Sequence, residues 1–392
     1  MSFRFQLGLV GHFLADYALL YVVIARAQAS GGAKGAVWTF LATSLPALAL
    51  FALAPLWDRM QRRPLRHIAV VQVVVVLATA TLFSTRSLPG TLAIALLLGL
   101  TRQLFRLLLG AVAKSVNDPS RQNLLLERSI TLRYACMIPG ATIGAMAGGS
   151  SWEPWILGAA SAATLLSLGL LQSDTSLREA RLHHEVASLP QLPSWPLLSE
   201  AFGGRELTVF LFTMLAVSCF MAVEYPLLTE SYRFERWMLP IVWGGHLAGS
   251  LLASLPLVAK IETTLARTGS LIARCAIASV VAFGLFAVCP PWVAPAAILM
   301  ATATLLLCRF EIAAGKRLLE RVGEARFAQA NLQMRGFELG LQIAGPALAS
   351  LGVLLVSVRA TLGIVAATCA LAIASRGQWE TENKAAAPGR KP

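Results

Sequence analysis

The strongest constraint on this chain is a succession of long apolar stretches broken by short polar ones. Crossing the hydrocarbon core of a bilayer as a helix takes about 20 apolar residues. On that length the expected spans are 6–27, 35–57, 66–84, 88–112, 128–150, 154–172, 207–229, 237–259, 270–289, 293–314, 326–350 and 356–375, about twelve in all. Of the 392 residues, 56% are hydrophobic and 14% charged, with mean hydropathy +0.66. A soluble domain carries about a quarter charged residues, so lipid is the natural solvent for this surface. In lipid only helices and closed barrels satisfy every backbone group. Barrel strands alternate apolar and polar residues, whereas these runs are continuous. An all-α membrane protein is therefore expected.

The net charge of +13 does not point to nucleic acid, because the basic residues fall in short clusters between the apolar runs. With the N-terminus in the cytoplasm, the inner connections carry Arg59, Arg62, Arg63, Arg66, Lys114, Arg121, Arg128, Arg178, Arg181, Arg205, Lys260, Arg267, Arg274, Lys316, Arg317, Arg321 and Arg326. The outer ones carry only Arg26, Lys34, Arg86, Arg233, Arg236 and Arg359. The positive-inside rule then expects an even number of spans, both termini cytoplasmic, in a bacterial-type inner membrane. Ala25-Arg26-Ala27-Gln28-Ala29 loosely resembles a signal-peptidase site. Asp16 interrupts the apolar stretch before it, so the first span is expected to be retained.

The longest connection, 173–206, mixes charges with Pro190, Pro193 and Pro196 and includes a candidate amphipathic helix at Leu177–Val186. It divides the chain into a first half, 1–172, and a second half, 207–376, of six helices each, followed by a polar tail, 377–392, expected to be disordered. The cysteines Cys136, Cys219, Cys275, Cys289, Cys308 and Cys369 all lie in or beside apolar runs, without CxxC or zinc spacing. They read as packing residues, and no metal is expected.

Four motifs carry a family resemblance. Between spans two and three, Ala54-Pro-Leu-Trp-Asp58-Arg59-Met-Gln61-Arg62-Arg63 resembles the G-xxx-D-R/K-x-G-x-R/K-R/K loop of the major facilitator superfamily. Asp58, Arg59, Arg62 and Arg63 match; both glycine positions are altered. In span five, Gly140, Gly144, Gly148 and Gly149 resemble the G-xxx-G-P-xx-G-G antiporter motif, with Ala145 where proline is usual. Small residues four apart also serve plain helix packing. Gly345-Pro346 occupies the corresponding place in span eleven. Arg106-Leu-Leu-Leu109-Gly110 is similar to the R-xx-Q-G of proton-coupled members. Leu14-Ala15-Asp16 and the stretch Glu320–Gly336 look like segments of the siderophore and macrolide exporters. The resemblance implies two six-helix halves in the major facilitator fold and transport by alternating access. The Asp58 cluster and the span-five glycines would then act as conformational gates.

Ionisable groups at bilayer depth are costly and mark functional sites by default. His12 and Asp16 share a face of span one, Arg102 and Arg106 a face of span four. Arg133 lies in span five, Glu224 in span seven, His246 in span eight, Arg335 and Glu338 in span eleven. Arg133 also reads as a snorkelling residue, and His246 as a hydrogen bond across a helix contact. Asp16, Glu338 and Arg106 are the proton-coupling candidates. His12, Asp16, Arg102, Arg133, Glu224, His246, Arg335 and Glu338 are the substrate-binding candidates. The arginines outnumber the carboxylates, which favours an anionic or chelating molecule.

The expected function is proton-antiport export of a small siderophore-like or drug-like molecule. The expected partners are that molecule, protons and the bilayer, with a monomeric protein and no cofactor beyond the proton gradient. Uptake, or lysophospholipid flipping between leaflets, is the competing reading. DDxxD, HExxH and GxSxG are missing from the sequence, which argues against a polytopic enzyme, and no catalytic residue is nominated. No filter-like loop repeats, which argues against a channel.

Overall fold

The computed structural model describes residues 3–48, 60, 63–114, 119–173, 203–254 and 271–385; the side chains of 110–111, 113–114, 119–128, 130–131, 134, 205, 271–272, 312–335 and 376–385 lie outside that description. Among the described residues every regular element is helical. The chain divides into two compact units. The first comprises Met1–Gln191 with Glu235–Pro240, the second Leu192–Phe234 with Ile241–Pro392.

In the first unit, α1 (Phe3–Ser44) packs against α3 (Leu88–Lys114), α4 (Pro119–Ala147) and α5 (Glu153–Gln172), while α2 (Pro64–Ser84) packs against α3 and α5. α1 holds both span one and the start of span two. Gly32 breaks it, at φ 60° and ψ −156°. That left-handed backbone is open to glycine and costly for a residue with a Cβ. A few residues on, Gly35 lets the returning helix touch the first: a Cβ there would sit 2.1 Å from the Ala27 carbonyl oxygen.

α2 explains why lipid is needed. Its inward stripe, Ile68, Val71, Val75, Ala78 and Leu82, is buried. Its opposite stripe, Val70, Val73 and Leu77, is equally apolar yet exposed. A helix apolar all round is stable only with apolar surroundings on both sides. Gln72 lies on the inward stripe, where its Nε2 donates to Ser167 Oγ at 2.9 Å.

In the second unit, α6 (Gly204–Pro226) runs into one π-helical turn, Leu227–Ser231. A short 3-10 turn, Arg236–Met238, which belongs to the first unit, precedes α7 (Leu239–Ser254). α8 (Leu271–Leu285), α9 (Val293–Leu355) and α10 (Val358–Ala385) complete it. α6 packs against α8, α9 and α10, and α8 packs against α9 and α10.

Two expectations are corrected. Spans ten and eleven were expected to be separated by a connection, but α9 is helical through it. The intervening sequence, Lys316-Arg-Leu-Leu-Glu-Arg321, is rich in strong helix formers and has no proline. A straight helix of 63 residues would be about 95 Å long. Yet Glu311 and Glu338 lie within electrostatic reach of one another, so the stretch does not run straight. The tail expected to be disordered from 377 is instead helical as far as Ala385. Glu380 and Lys384 stand four apart there, a spacing that supports a helix. Every other expected span falls at least partly on described helix. Among the described residues eight stretches are long and apolar enough to cross a membrane, Phe3–Leu48 among them.

Small residues set the helix seams. On α4, a Cβ at Gly144 would lie 2.2 Å from the Ala18 carbonyl oxygen of α1. On α9, a Cβ at Gly345 would lie 2.4 Å from Ser218 Cβ of α6. Span five therefore meets span one as span eleven meets span seven, the mark of a repeated half. The cysteines are all free thiols, buried except for the half-buried Cys308. Trp152, Trp155, Trp237 and Trp292 are exposed beside the starts of α5, α7 and α9, the position of an interfacial aromatic belt.

These seams make a direct prediction. Gly144→Val should lower stability by about 1–3 kcal/mol through overpacking. Gly158→Ala should leave it unchanged or slightly raised, because nothing lies within 4 Å of a Cβ there. Thermal unfolding of the purified protein in detergent, followed by size-exclusion fluorescence, reads both.

Candidate functional site

In the first unit α1 and α3 run side by side and present two rungs of side chains. The first rung is an ion pair. Arg102 Nε donates to Asp16 Oδ2 at 2.7 Å, and Arg102 Nη2 donates to Asp16 Oδ1 at 2.9 Å. Nη2 also donates to the Asp16 backbone carbonyl at 3.1 Å. The guanidinium sits over the Tyr17 ring, 5.6 Å from its centroid. A planar fork on a carboxylate uses both oxygens at once and fixes the register of the two helices. Both side chains are largely shielded, at 12% and 13% exposure.

The second rung, one turn away on each helix, stacks the His12 ring on Phe105 at 3.5 Å and 22°. His12 is 4% exposed, and its Nδ1 has no hydrogen-bond partner among the described residues. Arg106 follows Phe105. It lies within electrostatic reach of Asp16, Tyr17, Arg102 and Arg133. Asp16 is already committed to Arg102, and no described carboxylate forms an ion pair with Arg106. Five nominated residues, His12, Asp16, Arg102, Arg106 and Arg133, thus gather around one point of the first unit.

The second unit gathers two more. Glu224 on α6 is 3% exposed, and its Oε1 stands 3.5 Å from His246 Nε2 on α7. The other ring nitrogen, His246 Nδ1, is 2.7 Å from Thr304 Oγ1 on α9. Gly245 and Gly249, on either side of His246, make this reach possible. Cβ atoms there would lie 2.5 Å from the Ala297 carbonyl oxygen and 2.3 Å from that of Ala301. Glu338 is half-buried and lies within electrostatic reach of Glu311.

Asp58, Arg59 and Arg62 lie outside the described residues, as does the side chain of Arg335. Arg63 is exposed just before α2, where its carbonyl oxygen lies 3.0 Å from His67 Nδ1. Gly140, Gly144 and Gly148 lie in the α1–α4 seam, and Gly149 ends α4 with φ +72°. Among the described residues no group of three or more His, Cys, Asp or Glu is placed to hold a metal.

The residue patterns passed over one cluster. Arg26, counted only as an outer loop charge, pairs with Glu153 and donates to the Leu82 and Thr85 carbonyls at 2.5 and 2.6 Å. Glu153 also accepts the Gly149 N–H at 2.5 Å. Arg236 donates to the Gly148 carbonyl at 2.5 Å beside it. The available signal was Glu153 in the first turn of α5, where an acid complements the helix dipole. Thr304 was also missed; the Gly245–Gly249 stripe, which brings α9 close to His246, was its signal.

Two units of small-residue-seamed helices, each with ionisable groups buried at span depth, define a multi-pass helical membrane protein of internally repeated build. Solved structures narrow the class. The chain is similar to the POT family transporter PepTSo, with 10% identity over 98% of this chain and 99% of that one and a TM-score of 0.68. It is similar to the nucleoside transporter NupG, with 14% identity over 96% and 100% and a TM-score of 0.59. It is also similar to the human organic anion transporter MFSD10 (TETRAN), with 17% identity over 94% and 97% and a TM-score of 0.56. No family model matches the chain, and no curated protein matches it. At these identities the likeness is one of fold: the chain has the major facilitator fold.

The paired rung predicts a specific thermodynamic pattern. Asp16→Ala or Arg102→Ala alone leaves a buried charge without its partner and should cost about 3–5 kcal/mol. The double variant should be more stable than either single one. A double-mutant cycle from thermal melts measures this, and additive losses would mean that the pair is not coupled in the membrane-extracted protein.

Proposed function

We propose that the chain is a secondary active transporter that moves a small organic anion by alternating access. One observation carries the reading. The first unit places Arg102 and Arg106 near a single described carboxylate, Asp16, which is itself held by Arg102. Guanidinium groups remain charged when buried. A surplus of them at bilayer depth is costly unless an anion completes the set. The similarity to a protein named as an organic anion transporter agrees with that chemistry.

The span-five glycines, seamed onto α1, support export against incoming protons from a bacterial-type inner membrane with both termini in the cytoplasm. In that scheme Gly140, Gly144, Gly148 and Gly149 let the helices shift as the gate turns over, and the Asp58 cluster locks one state. A second reading, uptake together with protons, is favoured by the Asp16–Arg102 pair. An anion that takes Arg102 leaves Asp16 without its partner. Loss of an opposite charge raises a carboxyl's affinity for protons, so anion and proton would load together at this site.

Proteoliposomes with an imposed pH gradient test both readings, scanning anionic chelators and aromatic carboxylates against cationic drugs. Export by antiport accumulates the anion in an acidic lumen, and symport accumulates it in an alkaline one, each relative to protein-free vesicles. Arg106→Gln should lower anion flux at least tenfold, and Asp16→Asn should uncouple flux from the gradient while the protein stays folded. Absence of gradient-dependent flux for every anion in both polarities contradicts the transporter reading. Cation flux insensitive to Arg106→Gln contradicts the anion.

A further inference from the structure

The second unit contains a buried ionisable pair that the anion chemistry does not use. Glu224 is nine-tenths buried, and its Oε1 makes no hydrogen bond. His246 Nε2, the atom that faces it at 3.5 Å, makes none either. Among the described residues no arginine or lysine forms an ion pair with Glu224. Asp16 is different, because a guanidinium that keeps its proton is clamped on both of its oxygens.

The charged and titratable neighbours on the packed elements are engaged elsewhere. On α10, Arg359 donates to the Ser231 carbonyl at 3.2 Å and covers the Tyr232 ring. On α9, Arg309 donates to the Ala253 carbonyl at 3.0 Å, Cys308 turns to Ser250, and Glu338 faces Glu311. On α6 itself Tyr225 is adjacent and Cys219 lies toward Cys369 of α10.

Two unbonded buried atoms that face each other, one an oxygen and one an imidazole nitrogen, lack one thing. A single proton shared between them satisfies both. Thr304 Oγ1 at 2.7 Å from Nδ1 meets the other side of the ring. A doubly protonated imidazole has two N–H donors, and here an acceptor stands opposite each. The neutral ring protonated on Nε2 can also meet both neighbours, by accepting from the Thr304 hydroxyl, but it leaves the buried Glu224 carboxylate without a counter-charge, which the imidazolium supplies.

We infer that Glu224 and His246 form a proton-binding site in the second unit, with Thr304 orienting the ring. It deepens the proton-driven reading above, and rests on it for its part in transport. The proton enters on whichever ring nitrogen is bare, no bond between heavy atoms changes, and the product is an imidazolium held between Glu224 and Thr304. The site loads without displacing Arg102 from Asp16, so protons and anion occupy separate places in the chain.

The test needs no substrate, so its failure leaves the transporter reading standing, and a failed flux assay leaves this one standing. The full chain has five histidines. Nitrogen-15 histidine labelling in nanodiscs resolves them, and His246→Asn assigns the His246 signal by its loss. Titrated between about pH 5 and pH 8, His246 should change protonation, and Glu224→Gln should lower its midpoint by about one unit or more. An unmoved midpoint in a folded Glu224→Gln protein overturns the inference. Should that variant not fold, infrared spectra of the unaltered chain with labelled glutamate decide. One glutamate band must follow the His246 midpoint, as coupled groups do. Absence of such a band overturns the inference equally.

Discussion

The interaction on which the first unit depends is the fork of Arg102 on Asp16. A lone carboxylate or a lone guanidinium is costly at that depth. Together they satisfy each other through two side-chain bonds and a third to the Asp16 carbonyl. The pair joins α1 to α3 at one register, and that register places His12 against Phe105 one turn away. It also consumes the negative charge that Arg106 would otherwise take. The proposed anion preference therefore rests on how the aspartate is spent as much as on how many arginines there are.

The two halves use one packing device and different chemistry. Gly144 on Ala18 and Gly345 on Ser218 are the same kind of contact, a small residue that lets helix backbones nearly touch. In the first unit the seam sits beside the forked Asp16–Arg102 pair. In the second, Gly245 and Gly249 draw α7 onto α9, where His246 faces Glu224 and Thr304. Under the proposed function, the first half would recognise cargo and the second would bind protons.

Much of this was legible in the residues. Continuous apolar runs located the spans because a helix in lipid has to be apolar on its outward face too, as Val70, Val73 and Leu77 are on α2. The i,i+4 spacing put His12 with Asp16 and Arg102 with Arg106 on common faces, but spacing within a helix says nothing about which helices meet. Which of Arg102 and Arg106 takes Asp16, and that Glu224 meets His246, therefore came only from the fold. Arg26 was misjudged for a similar reason. A charge near a span end looks like a topology signal until Glu153 and the α2 carbonyls close around it. The continuous helix through 315–325 escaped because charge was read there as a loop, although Leu318, Leu319 and their charged neighbours are good helix formers.

The most direct measurement of the central claim is an anomalous difference map from crystals soaked in iodide, an anion that needs no knowledge of the true cargo. The surplus charge in the first unit should concentrate one peak in contact with the Arg106 guanidinium, and Arg106→Gln should erase it while the Arg102–Asp16 fork stays in place. Iodide bound elsewhere in the interior with none at Arg106, or a carboxylate found closing on Arg106 in its stead, would contradict the account.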